Sequence, residues 1–246
     1  MLNYRSRGER EDALKLAVMQ PYLLPYLGYF QLIRAVDKFV LYDDVTYIKG
    51  GWINRNRLWV SGKEYLFTLP LSNGNSGVRI HDVEIANTYG KWKRKFLSCV
   101  QQSYSRANNF EEVHLMLEGW LNLSTHSIAE INYRTLLDCC AWLGLETEIC
   151  KSSSVYGNCN LERADRIIDI CKKECASEYI NFAGGRKLYS PGFFKDKGVN
   201  LSFIESNLEA YSHGTDVFVP GLSILDFMMH VPKPKALRYL GEGQIV

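Results

Sequence analysis

The sequence lacks the features that mark a membrane-spanning, secreted or nucleic-acid-binding protein. No apolar run approaches the roughly 18 residues that a transmembrane helix needs. The charged opening MLNYRSRGEREDALK has no apolar segment of the kind found in secretory signals. The formal net charge is only +2, so no basic excess indicates binding to DNA. We therefore expect a cytoplasmic protein with no membrane span and no DNA partner.

Metal-binding and common catalytic signatures are also missing. The sequence has 7 cysteines, but no CxxC pair and no histidine-rich cluster, so no metal site is expected. Cys139, Cys140, Cys171 and Cys175 fall within apolar, helical patterns, which predicts free, buried thiols. GxGxxG, GxxxxGK[ST], GxSxG and HExxH are all absent. These absences argue against the common nucleotide-binding and hydrolase classes.

Alternation of strands and helices is the main pattern that is present. Short apolar runs predict strands at residues 16–19, 39–42, 146–151, 178–182 and 199–204. Because helical patterns separate these runs, we predict an α/β fold with a mainly parallel, Rossmann-like sheet. The strands at 16–19, 39–42 and 178–182 are expected to be neighbours. The loops that follow them would then lie at one edge of the sheet, where α/β proteins bind ligands.

The remaining segments predict additions to this sheet. Helical periodicity over about residues 89–144 predicts a helical lobe, and turn residues at 61–63 between apolar runs predict a small β-hairpin insertion. Residues 1–14 are expected to be a flexible arm, and residues 15–246 to form a single domain. The length suits one large domain, and a homo-oligomer is left open.

Two further local predictions concern residues 78–85 and residues 223–234. Residues 78–85 alternate between apolar and polar, which predicts an exposed strand. The spacing Ser223-x-x-Asp226 is that of a capping box at a helix start. Pro232 and Pro234 are expected to end that helix.

The loop after the first predicted strand is rich in aromatic and polar residues. Its candidate substrate-binding residues are Gln20, Tyr22, Tyr26, Gly28 and Tyr29. A glycine at a helix start allows close approach of a ligand, and free N–H groups there suit an anion. The spacing also loosely resembles the HxGH signature of nucleotidylyltransferases, with tyrosine in place of both histidines. The alternative is a loop whose tyrosines simply pack.

Two adjacent carboxylates, Asp43 and Asp44, follow the second predicted strand. In an extended segment their side chains point to opposite faces, so at most one is expected to face a ligand crevice. That carboxylate would be a candidate general base. The alternative is an acidic turn at the end of a strand.

A basic, glycine-rich loop, KGGWINRNR, spans residues 49–57. Lys49 and Arg55 next to paired glycines suit a diphosphate, and Trp52 offers a stacking surface. Asn54 and Asn56 are further candidate substrate-binding residues in the same loop. The alternative is a basic hairpin loop without a ligand.

Later in the chain, two short motifs are candidate parts of the same site. Gly184 and Gly185 follow the strand predicted at 178–182, and paired glycines there permit close backbone approach to a ligand. His213 lies in a polar loop and is a further candidate general base. The alternatives are a plain turn and an isolated loop histidine.

The opening block MQPYLLPYLGYFQLIRAVDKFVLYDDVTYIKGGWINRNR closely resembles the opening of the WbqC-like family. The blocks ERADRIIDICKK, YINFAGGRKLY and FVPGLSILDFMMH resemble later parts of that family. The resemblance covers about residues 15–240. It implies a role in bacterial surface-polysaccharide, O-antigen or lipopolysaccharide biosynthesis, on an activated sugar.

The functional hypothesis that follows is an enzyme, an acyltransferase that carries an aminoacyl (such as glycyl) or acyl group to the amine of a nucleotide-linked amino sugar. The donor is left open between ATP through an acyl adenylate, an aminoacyl-tRNA and a coenzyme A thioester. Asp43 or Asp44, or else His213, would deprotonate the amine. The alternatives are a non-catalytic nucleotide-sugar-binding protein of the same pathway and a nucleotidylyltransferase-like enzyme.

Overall fold

The computed structural model describes residues 14–74, 77–212, 218–241 and 244–245. Within these ranges the chain forms eight strands: β1 (Lys15–Met19), β2 (Lys38–Leu41), β3 (Arg55–Val60), β4 (Lys63–Thr68), β5 (Glu148–Cys150), β6 (Glu178–Phe182), β7 (Asn200–Glu205) and β8 (Gln244–Ile245). The same ranges contain eight α-helices: α1 (Leu27–Arg34), α2 (Tyr89–Tyr104), α3 (Phe110–Leu121), α4 (Ile128–Leu143), α5 (Arg163–Lys173), α6 (Pro191–Asp196), α7 (Ile224–His230) and α8 (Lys233–Tyr239).

The central sheet has the strand order β5-β2-β1-β6-β7-β8. The first five strands in this order are parallel, and β8 pairs antiparallel with β7. The predicted α/β fold with a mainly parallel sheet is therefore confirmed. The expectation that β1, β2 and β6 are neighbours is confirmed as well.

The sheet is buried on both faces, as its apolar strands require. In β1, Leu16 and Val18 belong to one core cluster with helix α5, while Ala17 belongs to the cluster on the opposite face. Because successive side chains of a strand alternate between faces, one short apolar run supplies both cores. The larger cluster holds α1, α7 and the helical lobe formed by α2, α3 and α4.

The β-hairpin β3–β4 forms a separate two-stranded sheet. Phe67 of the hairpin packs against Phe96 of α2, with ring centroids 4.7 Å apart. The backbone N–H of Trp59 donates a hydrogen bond to the Tyr104 hydroxyl at the end of α2. These contacts join the predicted hairpin insertion to the predicted helical lobe.

The structure corrects several local predictions. Residues 78–85 do not form a strand, because Ile80–Asp82 is a 3-10 helix flanked by isolated bridges at Arg79 and Ile85. The helix that begins after Ser223 does end before Pro232, at His230, as predicted. A further helix that was not predicted, α8, then begins at Lys233, with Pro232 as its N-cap residue and Pro234 in its first turn.

Two further predictions have a mixed outcome. All seven cysteines are free, but Cys175, which lies beyond the end of α5, is exposed rather than buried. The predicted arm lies almost wholly outside the described residues, which begin at Leu14. None of the helices in the described ranges has both the length and the apolar character to cross a bilayer.

The segment between β1 and α1 is largely buried but has almost no regular structure, so its carbonyls need donors from elsewhere. Asn132 of α4 donates to Pro21 O and to Ile53 O, both at 2.8 Å. Asn56 of β3 donates to Leu23 O and Leu24 O. Residues 20–26, called the entry loop below, are thus attached to the helical lobe and to the hairpin.

This attachment generates a stability prediction. Replacing Asn132 with Ala leaves two carbonyls without their donor, which should cost about 1–3 kcal/mol for each carbonyl that stays dry. Urea unfolding followed by fluorescence would measure the loss. Asn160→Ala is the matched control, because Asn160 is exposed and should change stability little. Equal stability of both variants would contradict the proposed role of Asn132.

Candidate functional site

The strand order places a crevice at the carboxyl ends of β1 and β6. From β1 the chain moves to β2 on one side, whereas β6 pairs with the other side of β1. In open α/β sheets such a change of direction leaves a gap outside the strand ends, where ligands bind. A cavity of about 540 Å³ lies there, lined by the ends of β1, β6 and β7, by the entry loop, and by Trp52, Asn56 and Arg57. We call it the switch-point cavity.

Aromatic rings form much of the wall of this cavity. Tyr22, Tyr26, Trp52 and Phe182 line it, and the rings of Tyr26 and Phe182 lie 6.3 Å apart. The Tyr26 hydroxyl is 3.4 Å from Ser206 Oγ. Burial raises the pKa of Tyr22 and of Tyr26 above the usual tyrosine value. Both phenols therefore remain neutral groups that can donate hydrogen bonds.

Arg57 and Glu205 are the charged members of the described cavity lining. The Arg57 guanidinium donates to Glu64 at 2.7 Å and to Gly221 O at 3.1 Å, and lies 5.8 Å from the centre of the Trp52 ring. Its Nε is buried and has no hydrogen-bond partner among the described residues. Glu205 is the last residue of β7. The cavity thus combines one cation and one carboxylate with aromatic walls.

The entry-loop candidates divide between the cavity and the core. Tyr22 and Tyr26 line the cavity, and Gly28 packs beneath the Tyr26 ring, where a Cβ would also meet Ser206 Oγ. Tyr29 is fully buried, and its hydroxyl donates to Gln20 O at 2.8 Å. Tyr29 and Gln20 are therefore not part of the described lining, and their assignment to substrate binding stays a prediction.

The candidates of the 49–57 loop divide in the same way. Trp52 and Asn56 line the cavity. Asn54 is buried and bonded to Tyr47 and Leu69 O, so it serves the loop rather than a ligand. Arg55 donates to the carbonyls of Gly50 and Gly51 and thereby closes its own loop. Lys49 is exposed and outside the described lining.

The two glycines after β6 also have different positions. Gly184 is exposed and lines the cavity, with open space where a Cβ would be. Gly185 is buried against Asn181, whose Nδ2 would lie 2.5 Å from an added Cβ. A larger residue at Gly185 would therefore require the Asn181 side chain to move. His213 lies outside the described residues, so its hypothesis stays a prediction.

Asp43 and Asp44 lie away from the switch-point cavity, in a polar network at the end of β2. The Ser153 hydroxyl donates to Asp44, which also forms a buried ion pair with Arg166 of α5. Asp43 accepts from the Ser152 hydroxyl at 2.7 Å and from the Ser153 backbone N–H at 3.2 Å. The prediction that they point to opposite faces is wrong, because the turn after β2 brings both toward Ser153. Burial raises the pKa of Asp43, and the hydrogen bond from Ser152 opposes this rise.

Ser223 and Asp226 do not form a capping box. Ser223 Oγ accepts from the backbone N–H of Leu225 and donates to Leu24 O of the entry loop at 2.8 Å. The fully buried Asp226 instead accepts hydrogen bonds from the hydroxyls of Tyr104 and Tyr211, at 2.7 and 2.9 Å. Burial, followed by the charge of Asp226, raises the pKa of both phenols.

Several cavity residues were not singled out from the sequence. Phe182 ends β6 and Glu205 ends β7, with Ser206 directly after it. Their positions at the carboxyl ends of predicted strands were a usable signal. Arg57 lies in the basic loop 49–57, but the sequence did not distinguish its role from that of Arg55. The described residues contain no group of His, Cys, Asp and Glu side chains placed to hold a metal ion.

The fold is that of an α/β protein with a cavity at the switch point of a mostly parallel sheet. The model of the WbqC-like protein family matches residues 20–238, and the chain belongs to this family. A relative is the uncharacterized protein Rv1507c of Mycobacterium tuberculosis (strain ATCC 25618 / H37Rv). It is 29% identical over 234 residues, covering 92% of this chain and 98% of the relative. No solved structure matches the chain.

The contact under Tyr26 generates a second prediction. Gly28→Ala places a methyl group where the Tyr26 ring and Ser206 now lie, and overpacking of this kind costs about 1–3 kcal/mol. Gly119→Ala is the control, because it lies in α3 with open space around it. That change should stabilise by roughly 0.5–1 kcal/mol. Urea unfolding of both variants checks the difference, and a neutral Gly28→Ala would mean that Tyr26 moves freely.

The Asp44–Arg166 pair generates a third prediction. Asp44→Asn leaves Arg166 as a buried, unpaired charge, which should cost about 3–5 kcal/mol of unfolding free energy. Glu112→Gln removes an exposed ion pair with Lys233 and should cost at most about 1 kcal/mol. If Asp44→Asn keeps wild-type stability but loses turnover, Asp44 is the general base rather than a structural group.

Proposed function

We propose that this protein transfers an aminoacyl group such as glycyl, or another acyl group, to the amine of a nucleotide-linked amino sugar. In this proposal the reaction occurs in the cytoplasm and belongs to bacterial O-antigen or related polysaccharide biosynthesis, as the resemblance of the opening block implies. The observation that carries the proposal is that Arg57 and Glu205 both line one cavity with aromatic walls. A nucleotide-linked amino sugar offers the matching groups: an aromatic base, a diphosphate and an amine.

Binding follows from the groups in the cavity wall. The volume of the switch-point cavity, about 540 Å³, lies within the range of small-ligand sites. Trp52 is 38% exposed and offers a face on which a base can stack. The Arg57 guanidinium, on a side chain that lines the cavity and is 33% exposed, would donate a charge-assisted hydrogen bond to a phosphate oxygen. The neutral phenols of Tyr22 and Tyr26 would bind sugar hydroxyls.

Chemistry requires a neutral amine, because an ammonium group has no electron pair for attack. The Glu205 carboxylate would accept the proton as the nitrogen forms a bond to the acyl carbon. The bond between that carbon and the donor's leaving group then breaks, and the leaving group departs with its electron pair. No covalent intermediate on the enzyme is needed. This sequence applies equally to an acyl adenylate, an aminoacyl-tRNA and a coenzyme A thioester.

A second candidate is a non-catalytic nucleotide-sugar-binding protein. It is favoured by the largely apolar lining, in which Glu205 is the single carboxylate among the described residues and also lies 3.7 Å from Arg186. A nucleotidylyltransferase-like enzyme has less support, because Tyr29, at the second histidine position of the HxGH spacing, lies in the core.

Binding is tested with Arg57→Gln in isothermal titration against a panel of nucleotide-linked amino sugars. Loss of a charge-assisted hydrogen bond should weaken binding roughly tenfold to a hundredfold. Arg94→Gln is the control, since Arg94 is exposed on α2 and outside the described lining. Unchanged affinity of Arg57→Gln for a sugar that the wild type binds would contradict the proposed phosphate contact. A parallel thermal melt separates this result from misfolding.

Catalysis is tested with Glu205→Gln and mass spectrometry of the amide product, using each donor class in turn. Turnover should fall by about 10²- to 10⁴-fold, while sugar affinity changes little. Glu209→Gln is the control, because Glu209 is an exposed carboxylate paired with Arg238. Undiminished turnover of Glu205→Gln would remove Glu205 as the base. Sugar binding without product from any donor would favour the non-catalytic candidate.

A further inference from the structure

A second pocket of about 390 Å³ opens at the carboxyl end of β2. It shares no lining residue with the switch-point cavity. Tyr42 and Asp44, which follow β2, line the pocket, together with Glu162, Arg163 and Arg166 at the start of α5. We call it the β2-end pocket. The function proposed above uses none of its residues.

Arginine dominates the charge of the β2-end pocket. Arg79, Arg163 and Arg166 line it, against the carboxylates of Asp44 and Glu162. Arg79 and Arg163 are exposed, and neither forms an ion pair within the part of the chain that the structure describes. Three guanidinium groups against two carboxylates leave a net positive pocket, and such a pocket attracts anions.

Arg166 differs from the other two arginines because its charge is already balanced. It is 4% exposed, pairs with Asp44, and donates from Nε to Asn158 at 3.0 Å. Its guanidinium carbon lies 4.8 Å from the centre of the Tyr42 ring. The pair is therefore balanced in charge, and the net positive charge of the pocket comes from Arg79 and Arg163 against Glu162.

The start of helix α5 adds a second favourable element for an anion. The helix is 11 residues long, and its N-cap residue Glu162 makes no side-chain hydrogen bond to the first turn. Unsatisfied N–H groups and the helix dipole favour negative charge at such an end. Glu162 and Arg163 at this end both line the pocket.

We propose that the β2-end pocket binds the phosphate groups of a second ligand, held by Arg79, Arg163 and the first turn of α5. This inference goes beyond the function proposed above and does not depend on it. Both pockets lie at the carboxyl ends of the parallel strands. The phosphates belong either to free inorganic phosphate species or to a nucleoside triphosphate, and the experiment distinguishes these sources.

Cys159 lines the β2-end pocket and is exposed, so it reports on occupancy. Its alkylation by iodoacetamide is followed by peptide mass spectrometry with and without inorganic pyrophosphate or ATP. Alkylation should slow about tenfold at ten times the Kd, since only unliganded protein reacts. Cys175 is also exposed but outside the described lining, and it should react at an unchanged rate.

Variants assign the protection to the arginines. Arg163→Gln should raise the concentration needed for protection roughly tenfold or more, and Arg79→Gln provides a second, independent variant. Arg57→Gln should leave the protection of Cys159 intact, which separates this pocket from the switch-point cavity. Protection by ATP at lower concentration than by pyrophosphate identifies a nucleotide, and equal protection identifies the phosphates alone. If neither compound protects Cys159, or if Arg57→Gln abolishes protection, the proposal is wrong.

Discussion

The buried backbone of the entry loop is the constraint on which the rest of the site depends. A segment without regular structure cannot satisfy its own carbonyls, and a buried carbonyl without a donor is costly. The donors come from distant parts of the chain: the Asn56 amide in the hairpin, the Asn132 amide in α4, the Tyr29 hydroxyl in α1, and Ser223 with the Ile224 N–H at the start of α7. Four elements therefore meet around one loop, and the cavity wall is fixed by the core behind it.

This arrangement separates two kinds of polar residue that look alike in the sequence. Asn56 and Asn132 point toward backbone and hold the wall in place. Arg57 lines the cavity with a side chain that is 33% exposed, and its guanidinium also donates to Glu64 and to Gly221 O. The first kind satisfies backbone groups of the fold, and the second offers a charged group to the cavity. In the function proposed above, recognition therefore depends on few side chains around an otherwise apolar cavity.

The sequence predicted the sheet well because its strands are short apolar runs with distinct ends, and their parallel neighbours follow from the alternation with helices. The roles of individual polar residues were harder to predict. Nothing in the local sequence shows whether Asn54 will contact a carbonyl or a ligand. Asp44 contacts Ser153 and Arg166, which lie 109 and 122 positions later in the chain. Helix α8 was missed because a proline that ends one helix can equally begin the next.

The raised pKa of Tyr22 and Tyr26 has a consequence for how solution measurements on this protein are read. Because burial raises the pKa of both phenols, the two side chains offer the same hydrogen-bond donors in neutral and in mildly alkaline buffer. A change of affinity across that interval therefore does not come from ionisation of Tyr22 or Tyr26, and its source lies in the bound molecule or in another group of the protein.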